Sequence, residues 1–255
     1  MIERWIGLCL LFAGTAVHAA PLPPDAIPGG LEPDFQTRLF HDRGDWVFYG
    51  DLGLAFQTDH RRFQRGMLGA YWVPEDHLKI GAFYRKTYGI RHDEDWISQN
   101  GSWSWRDTRN RGEDHFLFDV TPRFRLLERN GLSLIGEFKS RFILNTTLHH
   151  RTLFLRPGIN AFFSEGGLPV LSAFVQFETQ WALGRGGRTI PEKWLYLGII
   201  RPIHHWLEVG VQAALKWESW GATPAYLQKG GAPYLIDTTT WNLGLLLIYR
   251  LASVI

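Results

Sequence analysis

Residues 115–126 read HFLFDVTPRFRL, and apolar and polar side chains alternate along this stretch. Phe116, Phe118 and Val120 fall on one side of an extended chain, and Asp119 falls on the other. Successive side chains of a β-strand point to opposite faces of a sheet, so this period of two predicts a strand with one apolar and one polar face. The same alternation recurs in two further stretches, residues 132–142 and 207–217.

The composition agrees with an all-β chain of one domain. The 255 residues include 27 Gly, 17 Phe and 12 Trp but only 2 Met. Aromatic residues favour the faces of twisted strands, and glycine suits their bends. A formal net charge of +2 gives no basis for nucleic-acid binding, which calls for a clustered excess of Lys and Arg. We therefore predict no nucleic-acid partner.

Residues 1–19 have the three parts of a secretory signal peptide. Arg4 supplies the positive start, Trp5–Ala16 the apolar core, and Val17-His18-Ala19 the small residues at the usual cleavage spacing. The apolar core is shorter than the ~20 residues that a spanning helix needs. Cys9 is the only cysteine and lies in this segment, so the exported chain is expected to contain no disulfide.

The lengths of the connections predict a closed antiparallel transmembrane β-barrel over residues 46–251. This region reads as about ten strands, within a range of eight to twelve. Residues 20–45 are rich in Pro, Gly and Asp and are predicted to be a periplasmic lead-in, with one short strand near Phe35–Phe40. Outer-membrane barrels have short periplasmic turns and longer external loops. Here the long connections all follow odd-numbered strands, near residues 58–62, 89–113, 145–149, 183–193 and 218–237.

Alternation alone also fits a soluble periplasmic sandwich, in which the apolar face would pack on a shared core. Aromatic residues near the predicted strand ends favour the barrel instead, because barrels place aromatic girdles at both membrane interfaces. Examples are Trp46, Trp72, Trp241 and Tyr249. An even number of strands would also bring the C-terminus back to the side of the N-terminus.

The last predicted strand contains Asn242, Gly244, Leu247 and Tyr249 in an order that resembles the C-terminal recognition signal of outer-membrane barrels. The resemblance implies that the barrel-assembly machinery is a partner. The chain departs from that signal because residues 250–255 follow the aromatic residue.

A second resemblance covers most of the predicted barrel. The order of its elements is similar to a family of small Gram-negative outer-membrane barrels that has no established activity. It rests on GEFKSRF at residues 136–142, FLRPG at 154–158, QFE at 176–178, the strand at 193–201 and VGV at 209–211.

The polar faces of the strands are predicted to line the lumen. One hypothesis makes them a selective lining for an anionic or sugar-like solute, because rings of arginine suit anion pores. The alternative is a salt-bridge network that fills a narrow, closed barrel. The charged residues assigned to the lumen are Asp51, Lys79, Arg85, Asp119, Arg123, Arg125, Glu137, Lys139, Arg141, Arg156, Glu178, Arg201, Glu208 and Lys216.

The predicted external loop after Gly89 interleaves aromatic and charged residues, among them Trp96, Trp103, Trp105 and Arg106. Such a loop could bind a surface polysaccharide or fold inward as a constriction. No histidine lies in the His-x-Ser arrangement of outer-membrane lipid hydrolases, so we predict no catalytic residue, metal or cofactor.

The sequence therefore favours a porin-like protein of the Gram-negative cell envelope, in contact with outer-membrane lipid. Its expected role is that of a passive channel or envelope protein for small anionic or saccharide solutes. Two alternatives stay open. One is an outer-membrane enzyme that acts on lipid or lipopolysaccharide, and the other is a structural or adhesive barrel with a closed, salt-bridged interior.

Overall fold

Alternating side chains do form strands along almost the whole of the described chain. The computed structural model describes residues 31–56, 62–89, 112–147, 149–183, 192–221 and 235–251. Within these residues, no helix is long and apolar enough to cross a membrane. The strands found there are β1 (Leu31–Arg43), β2 (Trp46–Phe56), β3 (Arg62–Glu75), β4 (Leu78–Tyr88), β5 (Gly112–Arg129), β6 (Leu132–Asn145), β7 (His150–Glu165), β8 (Leu168–Leu183), β9 (Glu192–His204), β10 (Leu207–Gly221) and β11 (Leu235–Leu251).

The eleven strands in the described part of the chain close into one barrel, which confirms the predicted fold class. Neighbours in sequence pair antiparallel from β1 through β11. The closing pair differs, because β1 and β11 run parallel, with Leu31 opposite Trp241 and His41 opposite Leu251. The structure thus has one strand more than the predicted ten, and an odd number.

The additional strand is β1, which lies within residues 20–45, the predicted lead-in. The barrel wall therefore begins at Leu31 rather than at residue 46. Glu32 and Gln36 are buried on the inner face of β1, whereas Leu39 is exposed on the outer face. A strand with a polar inner face and a proline at Pro33 has the composition of a loop, so the sequence indicated only a short strand there.

Short and long connections lie at opposite ends of the barrel. At one end, the turn end, two-residue turns join the strands at residues 44–45, 76–77, 130–131, 166–167 and 205–206. Asn130 and Gly131 both have positive φ, as the tight turns that join twisted antiparallel strands require. The longer connections begin and end at the other end, the loop end. Because β1 is parallel to β11, Leu31 lies at the loop end and Leu251 at the turn end, so the described strands begin and end on opposite rims, unlike those of a barrel with the predicted even number of strands.

Burial in this barrel is the reverse of that in an ordinary globular domain. Leu52 and Leu68 on the outer face are 65% and 69% exposed, while Asp119 and Glu178 on the inner face are each 1% exposed. In a soluble domain, acidic side chains are rarely buried and large apolar patches rarely face solvent. The alternation of the sequence therefore places the polar side chains inside and the apolar side chains outside.

An aromatic cluster from β2, β3 and β4 fills part of the interior. The Tyr71 ring makes edge contacts with Tyr49 and Phe83, whose centroids lie 6.0 Å and 4.7 Å away. These rings occupy the space above Gly81, since a Cβ atom there would lie 2.5 Å from Phe83 and 2.8 Å from Tyr71. Glycine at this position therefore allows the Phe83 ring of the same strand and the Tyr71 ring of β3 to pack against the backbone of β4.

We expect Gly81→Ala to destabilise the barrel by about 1–3 kcal/mol, because the added methyl group would overpack the aromatic cluster. The matched control is Gly66→Ala on the outer face, where the new methyl group would meet only Leu52 at an ordinary 3.6 Å. Urea unfolding of the refolded protein in detergent, followed by tryptophan fluorescence, measures both. Equal urea midpoints for Gly81→Ala and Gly66→Ala would contradict the close packing of the two rings on Gly81.

Candidate functional site

The lumen contains a cavity of about 280 Å³ on the barrel axis. Each of β1 to β11 contributes at least one side chain to its lining. Alternation explains this arrangement, because every second residue of every strand must point inward. A solute inside the barrel would therefore contact side chains from all of these strands.

Positive charge dominates the surface that faces the cavity. Seven cationic side chains line it, whereas only two carboxylates do, those of Asp34 and Glu137. A solute in the lumen would therefore meet mostly guanidinium and ammonium groups. The cationic lining residues are Arg38, Arg65, Lys79, Arg85, Lys139, Arg141 and Arg156.

Several carboxylates lie behind these cations, in the wall of the barrel. Asp119 on β5 accepts two hydrogen bonds from the guanidinium of Arg141 on β6, at 2.5 Å and 2.7 Å. The ammonium of Lys139 lies 3.0 Å from the same carboxylate and donates to the hydroxyl of Tyr71 at 3.2 Å. Charges removed from water need such partners, so this network holds β5 and β6 in register.

Two further ion pairs repeat the pattern on other strands. Arg156 on β7 donates to the carboxylate of Glu178 on β8 at 2.5 Å and 2.8 Å. On β2 and β3, Arg65 donates to Asp51 at 2.8 Å, and the Tyr49 hydroxyl donates to the same carboxylate at 3.0 Å. In each pair the acid is almost fully buried and the arginine reaches the cavity.

Two lining cations on β4 differ from the others. Among the described residues, no carboxylate lies within ion-pair distance of Arg85 or Lys79, and the buried Nε of Arg85 has no hydrogen-bond acceptor. Lys79 instead places its ammonium 4.1 Å from the centre of the Tyr71 ring. These two side chains hold positive charge that the neighbouring carboxylates do not neutralise.

The opposite side of the lumen has a different character. β8, β10 and β11 contribute the amides of Gln176, Gln212 and Asn242 to the cavity. β9 contributes Trp194 and Tyr196, whose rings stack with centroids 5.4 Å apart and planes 8° apart. Amides both donate and accept hydrogen bonds, so this side suits hydroxyl groups as well as water.

The residues assigned to the lumen from the sequence occupy several environments. Glu137, Lys139, Arg141 and Arg156 line the cavity, while Asp119 and Glu178 lie in the wall behind it. Arg123 is half-buried beside the cavity, opposite Glu137 in the β5–β6 register. Lys79 and Arg85 also line the cavity, and Asp51 and Lys216 are buried without lining it. The remaining three lie outside the cavity: Arg125 is exposed at the turn end and pairs with Glu128, Glu208 pairs there with Arg250, and Arg201 is exposed.

Arg201 faces outward because its neighbour Ile200 lines the cavity, and adjacent strand residues point to opposite faces. The sequence did not single out Arg38 or the amides of β8, β10 and β11. Arg38 lies in the predicted lead-in, and uncharged amides give no signal that separates a lining residue from an ordinary polar one.

The remaining sequence-based assignments lie on β11 or outside the described residues. On β11, Asn242 and Gly244 face the interior, and Leu247 and Tyr249 alternate with them. Trp96, Trp103, Trp105 and Arg106 lie outside the described residues, as does the predicted signal peptide.

Neither the protein-family models nor the curated proteins that were compared match this chain. Among the described residues, no group of three or more His, Cys, Asp or Glu side chains could hold a metal ion. The chemistry of the lumen is therefore the basis for proposing a function.

We expect Asp119→Asn to destabilise the barrel by about 3–5 kcal/mol, because it leaves two buried cations without their counter-charge. Glu208→Gln is the matched control, since its partner Arg250 is exposed and the loss should be at most about 1 kcal/mol. Urea-unfolding midpoints of the two refolded variants measure the difference. If Asp119→Asn were as mild as the control, the buried network would not hold the strands together.

Proposed function

We propose that this chain is an outer-membrane barrel of a Gram-negative bacterium and provides a passive pathway for small anionic or saccharide solutes. One observation carries the proposal: the outer face is apolar and exposed, while cations face the lumen and their carboxylates lie behind them. Lipid would cover the apolar face, and water and solute would occupy the interior.

The dimensions and the aromatic residues support a membrane location. The strands have 11 to 18 residues, and a tilted strand needs about 9–11 to cross a bilayer. At the turn end, Trp46 and Trp72 are exposed directly opposite one another on β2 and β3. Trp206 stacks with Tyr249 nearby along the same rim. Such rings suit the interface between lipid and water.

The predicted signal peptide and the C-terminal pattern on β11 support export to the outer membrane. Under this proposal the barrel-assembly machinery inserts the chain, and outer-membrane lipid is its permanent partner. A surface polysaccharide stays a candidate partner under this proposal.

The arrangement of charge supports preference for anions. A cation-lined passage raises the local concentration of anions and lowers that of cations. Three lining arginines are paired with buried carboxylates, which join neighbouring strands of the wall. Arg85 and Lys79 have no such partner among the described residues and leave positive charge on the passage.

The ion pairs also favour a second candidate, a structural barrel with a closed interior. The same network of Asp119, Arg141 and Lys139 that supports a lining could instead plug the lumen. In that case the loops would carry the function, and the barrel would conduct no ions. Conductance therefore decides between the two.

If lipid covers the outer face, a charge placed on the outer face of β5 should destabilise the barrel more in the middle of the bilayer than near its surface. Phe118 and Leu126 are 53% and 56% exposed, but Phe118 lies midway along the strand and Leu126 near the turn end. We expect Phe118→Arg to cost about 2–4 kcal/mol and Leu126→Arg about 0–1 kcal/mol. Folding into lipid vesicles, followed by heat-modifiable gel mobility, measures both. A mature wild-type protein that stays in the soluble fraction would exclude the membrane location.

A planar bilayer tests the pathway itself. We expect the refolded wild type to conduct with a reversal potential that shows anion preference, because unneutralised cations line the lumen. Arg85→Gln and Lys79→Gln should move the anion-to-cation permeability ratio towards one. Arg201→Gln, the same chemical change on the outer face, should leave it unchanged. A folded barrel that does not conduct would exclude the pathway and favour the closed structural barrel.

A further inference from the structure

The two sides of the lumen cavity offer different chemistry. The side formed by β3 to β7, here called the cationic wall, contributes Arg65, Lys79, Arg85, Lys139, Arg141 and Arg156. The side formed by β8, β10 and β11, here called the amide wall, contributes Gln176, Gln212 and Asn242. In an eleven-stranded barrel, β4 lies across the axis from β9 and β10. A ligand in the cavity would thus meet mostly cations on one side and mostly amides on the other, with Arg38 and Asp34 of β1 at the edge of the amide wall.

Each wall contains a buried donor that finds no acceptor. These donors are Nε of Arg85 on the cationic wall and Nδ2 of Asn242 on the amide wall. Both residues line the same cavity. A buried donor without an acceptor is costly. Both atoms are shut off from the cavity in the ligand-free barrel, so a small rotation of each side chain would be needed to present these donors to the acceptors of a ligand.

We propose that the cavity binds a small polyhydroxy carboxylate, such as a sugar acid, with its carboxylate at Arg85 and its hydroxyls at the amide wall. Arg85 is the best anchor because its charge has no carboxylate partner among the described residues, unlike Arg65, Arg141 and Arg156. The inference rests on the proposed solute pathway and names the class of solute it would take.

The rest of the lining favours a sugar acid over an inorganic anion. Asp34 also lines the cavity, on β1 beside the amide wall, and its carboxylate would repel a compact polyanion. The same carboxylate accepts hydrogen bonds from hydroxyl groups, as do the side-chain oxygens of Gln212 and Asn242. A cavity of about 280 Å³ lies at the small end of ligand sites, which suits one sugar-sized molecule.

The test is titration calorimetry on the refolded full chain in detergent, with D-glucuronate, D-glucose and acetate as probes. Glucose lacks the carboxylate of glucuronate, and acetate lacks its hydroxyls. We expect glucuronate to bind at least about tenfold more tightly than either, because a charge-assisted hydrogen bond and the hydroxyl contacts both add affinity. Equal affinity for glucuronate and acetate, or for glucuronate and glucose, would overturn the proposal.

Substitutions test which residue binds the carboxylate of the ligand and which residues bind its hydroxyl groups. Arg85→Gln should reduce glucuronate affinity to that of glucose, and Arg201→Gln on the outer face should leave it unchanged. Asn242→Leu should weaken glucuronate binding without changing acetate binding. If that variant does not fold, Gln212→Leu on β10 makes the same test. Unchanged glucuronate affinity in folded Arg85→Gln would overturn the assignment.

Calorimetry tests the sugar-acid site and conductance tests the solute pathway, so either claim can be wrong without the other. A folded protein that conducts anions but binds no glucuronate would overturn this inference and leave the pathway in place. A protein that binds glucuronate but does not conduct would overturn the pathway and support a closed binding barrel.

Discussion

The rest of the barrel depends on the pairing of buried charges inside it. The carboxylate of Asp119, which forms ion pairs with Arg141 and Lys139, is the clearest case. A buried charge on the inner face of a strand needs an opposite charge on a neighbouring strand, because a buried charge without a partner destabilises the fold. A slip of one residue between β5 and β6 would turn Asp119 towards the outer face and place Phe118 or Val120 inside. The ion pair therefore fixes the register, and the register fixes which side chains reach the cavity.

The same constraint explains why cations rather than carboxylates face the cavity. An aspartate side chain is short and stays near the backbone, whereas arginine and lysine have long apolar stems that carry the charge away from it. When an acid and a base pair across neighbouring strands of a barrel, the base therefore extends further towards the axis. Asp51 with Arg65 and Glu178 with Arg156 follow this geometry. Carboxylates that lie in the wall and cations that extend further inward can thus give the cavity a positive surface.

The sequence predicted the parts of the fold in which the two faces of a strand differ in polarity. β5, β6 and β10 alternate clearly, and their inward residues could be assigned from parity. β9 could not be assigned in this way, because Leu195, Leu197 and Ile199 alternate with other apolar or aromatic residues, and Arg201 was placed on the wrong face. β1 was predicted only as a short strand near Phe35–Phe40, because Pro33 and the polar residues around it are typical of a loop. The depth of each charge depends on the length of its side chain, which the spacing of residues does not show.

The parallel pairing of β1 with β11 has a consequence for how this chain could be rearranged. In a barrel with an even number of antiparallel strands, the first strand begins on the same rim on which the last strand ends. A short linker can then join these two points to make a circular permutant. Here the first residue of β1 and the last residue of β11 lie on opposite rims. A linker between these two residues would have to span the full length of the barrel, through the lumen or along its outer face, so a short linker cannot make a circular permutant of this barrel.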